Sequence, residues 1–219
     1  MPRLLFEKKG QAIWISHLDL MRLFQRAFKR AGLPLTHTHG FNPRPSVSIA
    51  LPLSVGVESS CELLDFDLDG YQVSNEEIKD KLNAALVEGV RVLQVYNDGR
   101  KIRDLALLHC KVFLEYDNSI ANQACIPIQE LFQRESLIVP KKTKSGMQDQ
   151  DLIPMIQSLQ VIVENERVLV LDCVVCCQNP TLNPAQLALA VEMYLPSYKA
   201  DFSKSCRIEI FDRQNEIFR

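Results

Sequence analysis

The sequence contains no uninterrupted apolar run of about 18 residues, the length that a membrane-spanning helix requires. Its N-terminus also lacks the apolar stretch of a secretory signal peptide. We therefore expect a cytoplasmic protein with no membrane partner. The seven cysteines are an odd number, and in that compartment they are expected to be reduced thiols.

The common nucleotide-binding glycine motifs and the serine nucleophile elbow are also missing. The spacing Cys-x3-Cys-x2-Cys of an iron–sulfur ligand set does not occur either. Cys173, Cys176 and Cys177 lie in VLVLDCVVCCQ, a run that predicts a strand. Because side chains alternate across a strand, this run favours buried strand cysteines over a zinc site. We expect no metal and no cofactor.

Charge is unevenly distributed, although the net charge is only -2. Residues 1–50 carry eight Lys or Arg and two acids, whereas residues 58–88 carry nine acids and two lysines. Such asymmetry is typical of a protein whose basic side meets an anionic partner. Two oppositely charged faces that attract each other, or a second subunit, would produce the same pattern.

Apolar periodicity divides the first half of the chain into strands and helices. A strand or hairpin is predicted at residues 4–15, and Ser16 is predicted to begin a helix. The remaining elements are an extended segment at 33–59, a strand at 61–68, a helix at 74–86 and a strand at 90–96. This β-α-β-β-α-β order is that of a ferredoxin-like unit.

A similar order is predicted after a polar break at residues 97–104. The predicted strands are residues 105–116, 137–140, 159–163, 167–177 and 207–211, and the helices are residues 127–134 and 183–194. We therefore predict an α+β protein of two tandem ferredoxin-like halves with antiparallel sheets, residues 1–98 and 99–219. The second half includes an exposed basic loop, KKTKSGMQDQD, at residues 141–151.

The predicted first helix has a basic stripe opposite its apolar face. Asp19 lies three residues after the predicted cap, Ser16, as in a capping box. The stripe consists of Arg22, Arg26, Lys29 and Arg30. Cations on one helix face suit a phosphate backbone, because each neutralised phosphate releases counterions. An ordinary solvated helix face has the same pattern.

The loop after this helix, THTHGFNPRP, adds further polar and basic groups. His37, His39, Asn42 and Arg44 are candidates for contact with RNA or a partner, together with Lys141, Lys142 and Lys144 in the second half. His37 and His39 would face the same side of an extended segment and could form half of a metal site. No complementary ligands are evident, so a metal site is not expected here.

His17 is the candidate catalytic residue. At a helix N-terminus the dipole disfavours the imidazolium, so a neutral His17 could act as a general base on a ribose 2'-hydroxyl. A histidine that merely orders the loop by hydrogen bonding is the alternative, and we favour it. No acid or nucleophile is placed beside His17 by spacing. The sequence therefore favours a protein that is not an enzyme.

Four segments occur in order between residues 15 and 68: SHLDLMR, RAGLP, GFNP and PLSVGVES. They resemble the hallmark of the radical-SAM-linked proteins, a bacterial domain family of unknown function. Residues 141–156 resemble that family's later basic-Gly-Asp-x-x-P motif, so the resemblance covers most of the chain. The positions that it singles out are Ser16, His17, Asp19, Arg22, Gly40, Phe41, Asn42, Pro43, Glu58 and Ser59.

Members of that family are standalone or fused to the C-terminus of cobalamin-binding-type radical SAM proteins. They often occur beside, or fused to, an endoribonuclease of the RNase E/G type. The resemblance therefore implies a separately encoded radical SAM protein, RNA and an RNase E/G-type ribonuclease as partners. It implies RNA processing or modification as the setting, by association.

Three hypotheses follow for the function. The first is an accessory module that holds RNA, or a partner, for a separate radical SAM protein. The second is a metal-independent endoribonuclease of tandem ferredoxin-like fold, with His17 as base and Arg22 or a loop lysine as oxyanion stabiliser. The third is a structural subunit that makes no contact with RNA.

Overall fold

The computed structural model of the protein describes residues 2–70, 73–143 and 146–219. They form two compact units, one that extends to Ile102 and includes Arg219, and one that comprises Arg103–Phe218. The described residues contain four α-helices, and the strand pairings within each unit are antiparallel. The α+β class is therefore confirmed. None of these helices has the length and apolar character needed to cross a membrane.

The first unit is a helix-covered sheet. Its elements are β1 (Arg3–Lys8), a 3-10 helix (Gly10–Trp14), α1 (His17–Arg30), β2 (Val47–Ile49), β3 (Glu58–Phe66), α2 (Asn75–Ala85) and β4 (Val90–Tyr96). The strands lie in the order β4-β1-β3-β2. The prediction of a strand or hairpin over residues 4–15 is wrong for its second half. Gly10 adopts φ +56°, which ends the strand, and the 3-10 helix follows.

The core of the first unit lies between its sheet and its helices. The apolar stripe of α1 is buried as its periodicity predicts, with Phe24 and Phe28 completely inaccessible. Phe24 packs edge-on against Phe6 of β1 with ring centroids 4.7 Å apart, and Phe28 lies 5.0 Å from Phe66 of β3. Burial of these rings fixes which face of α1 points away from the sheet.

The second unit is also a sheet covered by helices. Its elements are β5 (Leu105–Glu115), α3 (Ala121–Leu131), β6 (Ile138–Thr143), β7 (Gly146–Asp151), β8 (Ile156–Asn165), β9 (Val168–Cys176), α4 (Ala185–Tyr194) and β10 (Phe202–Asp212), with short 3-10 helices between some of them. The main strands lie in the order β10-β5-β9-β8, and β6 pairs with β7 as a separate hairpin. Buried positions alternate with half-exposed ones over most of β5 and over the second half of β9, whereas Leu169–Leu171 of β9 are all buried.

Three details of the second unit differ from, or refine, the sequence prediction. Helix α3 begins at Ala121, six residues before the predicted start, and Pro127 lies inside it. For the segment 141–151 the sequence predicts an exposed basic loop. Its described residues belong to the β6–β7 hairpin instead, because cross-strand pairs run from Ile138 with Asp151 to Thr143 with Gly146. Cys173 is buried and Cys176 half-exposed, which agrees with a strand.

Candidate nucleic-acid interface

The start of α1 is fixed by local hydrogen bonds. Ser16 has extended backbone angles, and its Oγ accepts a hydrogen bond from the backbone N–H of Asp19 over 3.2 Å. The same hydroxyl donates to Oδ2 of Asp19 over 2.7 Å. Ser16 is therefore the helix cap that the sequence predicts, and it satisfies one of the free N–H groups of the first turn.

Three arginines of α1 line one shallow groove of about 430 Å³. Arg22, Arg26 and Arg30 recur every four residues and therefore lie in a row along the exposed side of the helix. The other lining residues are Ile15, Asp19, Leu23 and Val87. The three arginines of the basic stripe, without Lys29, thus lie in a concave surface with one carboxylate. We call it the arginine groove.

Each arginine of the groove keeps free hydrogen-bonding capacity. Arg22 donates from Nη1 to Oδ1 of Asp19 over 2.9 Å, and Arg30 donates from Nη2 to the carbonyl oxygen of Ala85 over 2.5 Å. Arg26 has no ion-pair or hydrogen-bond partner within residues 2–70, 73–143 and 146–219. A guanidinium has five N–H donors, so most of the donors in the groove remain available to an anionic ligand.

Asp19 contributes the only carboxylate that lines the arginine groove in the described chain. The hydrogen bond from Ser16, and next to it that from Arg22, holds the pKa of this carboxyl below its ordinary value. Asp19 is therefore ionised at neutral pH. Its negative charge leaves a net charge of about +2 from the three arginines and orients Arg22 along the helix.

His17 is the first residue of α1 and is half-exposed. Its Nδ1 atom is buried and has no hydrogen-bond partner among the described residues. A general base needs a group that orients its ring, and the described part of the chain supplies none at this nitrogen. The geometry around His17 thus gives no support to a catalytic role.

The loop after α1 is a braced projection, which we call the finger (residues 36–46). The N–H of Thr38 donates to the carbonyl of Arg44 over 2.8 Å, and the N–H of Arg44 donates to Oγ1 of Thr38 over 3.0 Å. A bridge between His37 and Pro45 extends this pairing. At its base, Oγ1 of Thr36 donates to Oδ2 of Asp67 over 3.0 Å.

The finger brings most of the predicted loop residues together on its surface. The side chains that it exposes include His37, His39, Phe41, Asn42 and Arg44. A cleft of about 310 Å³ separates its base from α1, with Gln25 and Lys29 on the helix side. The finger and α1 are thus two walls of one cleft, and His37 and Lys29 both line it.

The predicted lysines of the second half belong to the other unit. Lys141 and Lys142 lie in β6, and Lys144 is outside the described residues. The Lys141 ammonium donates to the carbonyl of Thr181 over 2.9 Å within the second unit. At least this lysine therefore has a structural contact of its own.

Glu58 and Ser59, the last two residues of the segment PLSVGVES, lie in β3 rather than at the arginine groove. Ser59 is completely buried and donates from Oγ to Oε1 of Glu62 over 2.7 Å. Ser59 thus stabilises the strand from inside.

Among the described residues, no group of three or more His, Cys, Asp or Glu is arranged to hold a metal ion. His37 and His39 therefore do not belong to such a group in the described part of the chain.

Sequence reasoning missed several residues that shape the site. Val87 completes the arginine groove from the segment after α2, and Arg30 is held by Ala85 of the same region. Lys8 is buried and donates from Nζ to the carbonyls of Ile13 and Ile15, which fixes the chain just before α1. These contacts join residues that no local sequence pattern connects. One signal in the sequence is the unusual presence of a lysine, Lys8, at the end of an apolar strand.

Comparison with known proteins gives a fold match and a family. No curated protein sequence matches the chain significantly. A chain in the crystal structure of a Cbf5-Nop10-Gar1 complex is similar with a TM-score of 0.56 and 10% sequence identity. The match covers 95% of the present chain and 48% of the other, so the present chain spans about half the length of that chain. At this identity the likeness shows the fold alone.

A bacterial protein family, DUF2344, is described as an uncharacterized protein conserved in bacteria, and its sequence profile matches residues 2–184. This range includes α1, the finger and most of the second unit. Because the match extends over far more than half of the 219 residues, the chain belongs to the DUF2344 family.

Proposed function

We propose that this chain is an accessory module of the cytoplasm that binds RNA through the arginine groove and works with a separately encoded radical SAM protein. The observation that carries the RNA part is the row formed by Arg22, Arg26 and Arg30 in one concave surface. Successive phosphates of a nucleic-acid strand are spaced along a line, and a row of cations on one helix can neutralise several of them.

The chemistry of the groove suits phosphate better than a neutral ligand. Guanidinium groups form paired hydrogen bonds with phosphate oxygens, and those of Arg22 and Arg26 are exposed to solvent. The apolar side chains of Ile15, Leu23 and Val87 also line the groove. Low-dielectric walls of this kind strengthen the attraction of neighbouring cations to an anion.

Exposed apolar side chains in the first turn of α1, in the 3-10 helix before it and in the segment before β3 support the partner part of the proposal. Trp14, Leu18 and Val55 are all more than half exposed, and the Trp14 ring lies against Gly56. Exposed aromatic and aliphatic groups of this kind are common at protein interfaces. The link to a radical SAM protein, and to an RNase E/G-type ribonuclease, is what the resemblance to the radical-SAM-linked proteins implies.

We also infer that each unit is a ferredoxin-like half. The first unit has the element order β-α-β-β-α-β and the strand order β4-β1-β3-β2. The second unit repeats both orders in β5, α3, β8, β9, α4 and β10, with the β6–β7 hairpin inserted after α3. Equivalent order and antiparallel direction in both units support a tandem arrangement.

The RNA part is tested by binding of a labelled single-stranded RNA to the full chain, measured by fluorescence anisotropy. The double variant Arg22→Ala/Arg26→Ala should bind at least tenfold more weakly than the wild type, because two phosphate contacts are lost. Wild-type protein that has no RNA affinity but co-purifies with the radical SAM protein would instead support the structural subunit.

The same samples test the ribonuclease hypothesis. Incubation with RNA in the presence of EDTA should leave the RNA intact, because the described surroundings of His17 lack an orienting group. Metal-independent cleavage that disappears in His17→Ala, with unchanged RNA affinity, would show that the chain is an enzyme and overturn the accessory role.

A further inference from the structure

The tip of the finger presents a completely exposed aromatic ring. Phe41 has 107% of its reference accessible area, the largest value among the exposed apolar side chains of the described chain. Single exposed apolar residues are common on protein surfaces. Phe41 differs from them because it stands at the end of a segment whose backbone is hydrogen-bonded at two levels, between Thr38 and Arg44 and between Ser46 and Thr36. The ring is held out from the body of the unit.

The segment that contains Phe41 carries no acidic residue in the sequence. Residues 20–57 include five Lys or Arg and no Asp or Glu. Within the finger, Arg44 and Asn42 are exposed like Phe41 itself. An exposed aromatic ring in the same segment as a cation and an amide is typical of surfaces that bind single-stranded nucleic acid, where bases stack and phosphates pair with the cation.

We propose that Phe41 stacks on an unpaired base of the bound RNA, so that the module prefers single-stranded RNA to a duplex. This inference rests on the proposed RNA-binding function and adds its substrate class. Helix α1 carries the arginine groove, and the same helix forms one wall of the cleft whose other wall is the finger. The arginine groove and the finger thus flank the same helix, and a strand that crosses α1 from the groove would meet the finger.

Stacking explains the conformation of the finger better than a role in packing. An exposed Phe gains no burial energy from the fold, so the fold gives no reason for an aromatic residue at this tip. Every nucleobase has an aromatic face, so one ring can contribute to affinity without selecting a sequence. In a duplex the bases are already stacked on each other, and the ring has no free face to contact.

The test compares a single-stranded RNA with the duplex that it forms with its complement, and uses the full chain throughout. Phe41→Leu should weaken binding of the single strand about tenfold and change duplex binding less than twofold. Phe41→Tyr keeps the aromatic face and should bind like the wild type. Ile126→Ala removes an exposed apolar side chain in α3 and should leave both affinities unchanged.

A second readout follows stacking directly. One adenine of the RNA is replaced by the fluorescent base 2-aminopurine. Its emission should be quenched when the wild type or Phe41→Tyr binds, and the quenching should be weaker when Phe41→Leu binds. If Phe41→Leu loses as much affinity for the duplex as for the single strand, or loses no affinity for either, the stacking proposal is overturned. The arginine groove would then still be supported if Arg22→Ala/Arg26→Ala loses affinity.

Two further outcomes separate this inference from its alternatives. Phe41→Leu that binds RNA normally but no longer co-purifies with the radical SAM protein would show that the finger is a protein contact, and would overturn stacking. If the wild type binds neither the single-stranded RNA nor the duplex, the proposed function is overturned, and the stacking proposal is overturned as well. Circular dichroism of each variant shows whether it is folded; if Phe41→Leu misfolds, Phe41→Ala takes its place with the same expected loss of single-strand affinity.

Discussion

Arg22 donates a hydrogen bond from Nη1 to Oδ1 of Asp19, three residues earlier on α1, over a distance of 2.9 Å. The other oxygen of the same carboxylate accepts from Ser16 Oγ. Asp19 thus links the helix cap to the first arginine of the groove. A change at the cap therefore alters both the stability of α1 and the position of a proposed RNA contact.

The first prediction concerns the pKa of Asp19. This pKa should lie below its ordinary value and should rise more in Ser16→Ala than in Arg22→Ala, because the Ser16 hydrogen bond is the larger cause of its depression. Carbon-detected NMR titration of the aspartate carboxyls measures it. Ser48→Ala removes an exposed hydroxyl in β2 and should leave the Asp19 pKa unchanged.

The sign of the pH dependence follows from the same shift. A depressed folded-state pKa contributes stability above the unfolded pKa of about 3.9, and this contribution is lost as the pH falls through the folded pKa. The stability difference between wild type and Ser16→Ala should therefore shrink in acid. A difference that stays constant down to pH 2, or grows there, would contradict the assigned contacts.

The second prediction concerns Lys8, which is inaccessible to solvent and binds two carbonyls before α1. Lys8→Met should lower the free energy of unfolding by about 2 kcal/mol, because the carbonyls of Ile13 and Ile15 lose a donor. Lys9→Met is a matched control at a half-exposed position and should change it by less than about 0.5 kcal/mol. Urea denaturation measures both, and equal losses would contradict the structural role of Lys8.

Much of the first unit could be predicted from sequence because its signals are local. Ser16, the apolar period of α1 and the positive φ at Gly32 fix the helix within one turn. Strand β4 has the predicted limits, Val90–Tyr96. The prediction is wrong where a residue type is common in two kinds of secondary structure. Pro127 predicts a helix start but lies inside α3. The polar, lysine-rich segment 141–151 predicts a loop, but its described residues belong to the β6–β7 hairpin.

The candidate site was predicted only in part, because its shape depends on distant contacts. The basic stripe follows from helical spacing alone, but its concavity requires Val87, which lies beyond α2. The finger is braced through Asp67 at the far end of β3, a contact across 31 residues. Local patterns indicate which residues are charged, and long-range pairing decides which of them share a surface.

The third prediction concerns Cys110 and Cys173, whose sulfur atoms lie 3.4 Å apart between β5 and β9. The hydrogen bond to Cys173, and then burial, raises the pKa of the Cys110 thiol. Because the thiolate is the reactive form, Cys110 should resist N-ethylmaleimide at pH 8 in the folded protein. Cys206 is half-exposed and serves as the internal comparison. Mass spectrometry that shows labelling of both at similar rates would contradict this packing.

The most direct test of the central claim is the salt dependence of RNA affinity. For single-stranded RNA, each phosphate contact contributes about 0.7 to the slope of log K against log salt. Arg22→Ala/Arg26→Ala should therefore reduce the magnitude of the slope by about 1.4. Arg103→Ala/Arg213→Ala removes the same charge from exposed positions of the second unit and should leave the slope unchanged. Equal reductions in both double variants, or a wild type without measurable RNA affinity, would contradict a phosphate-binding arginine groove.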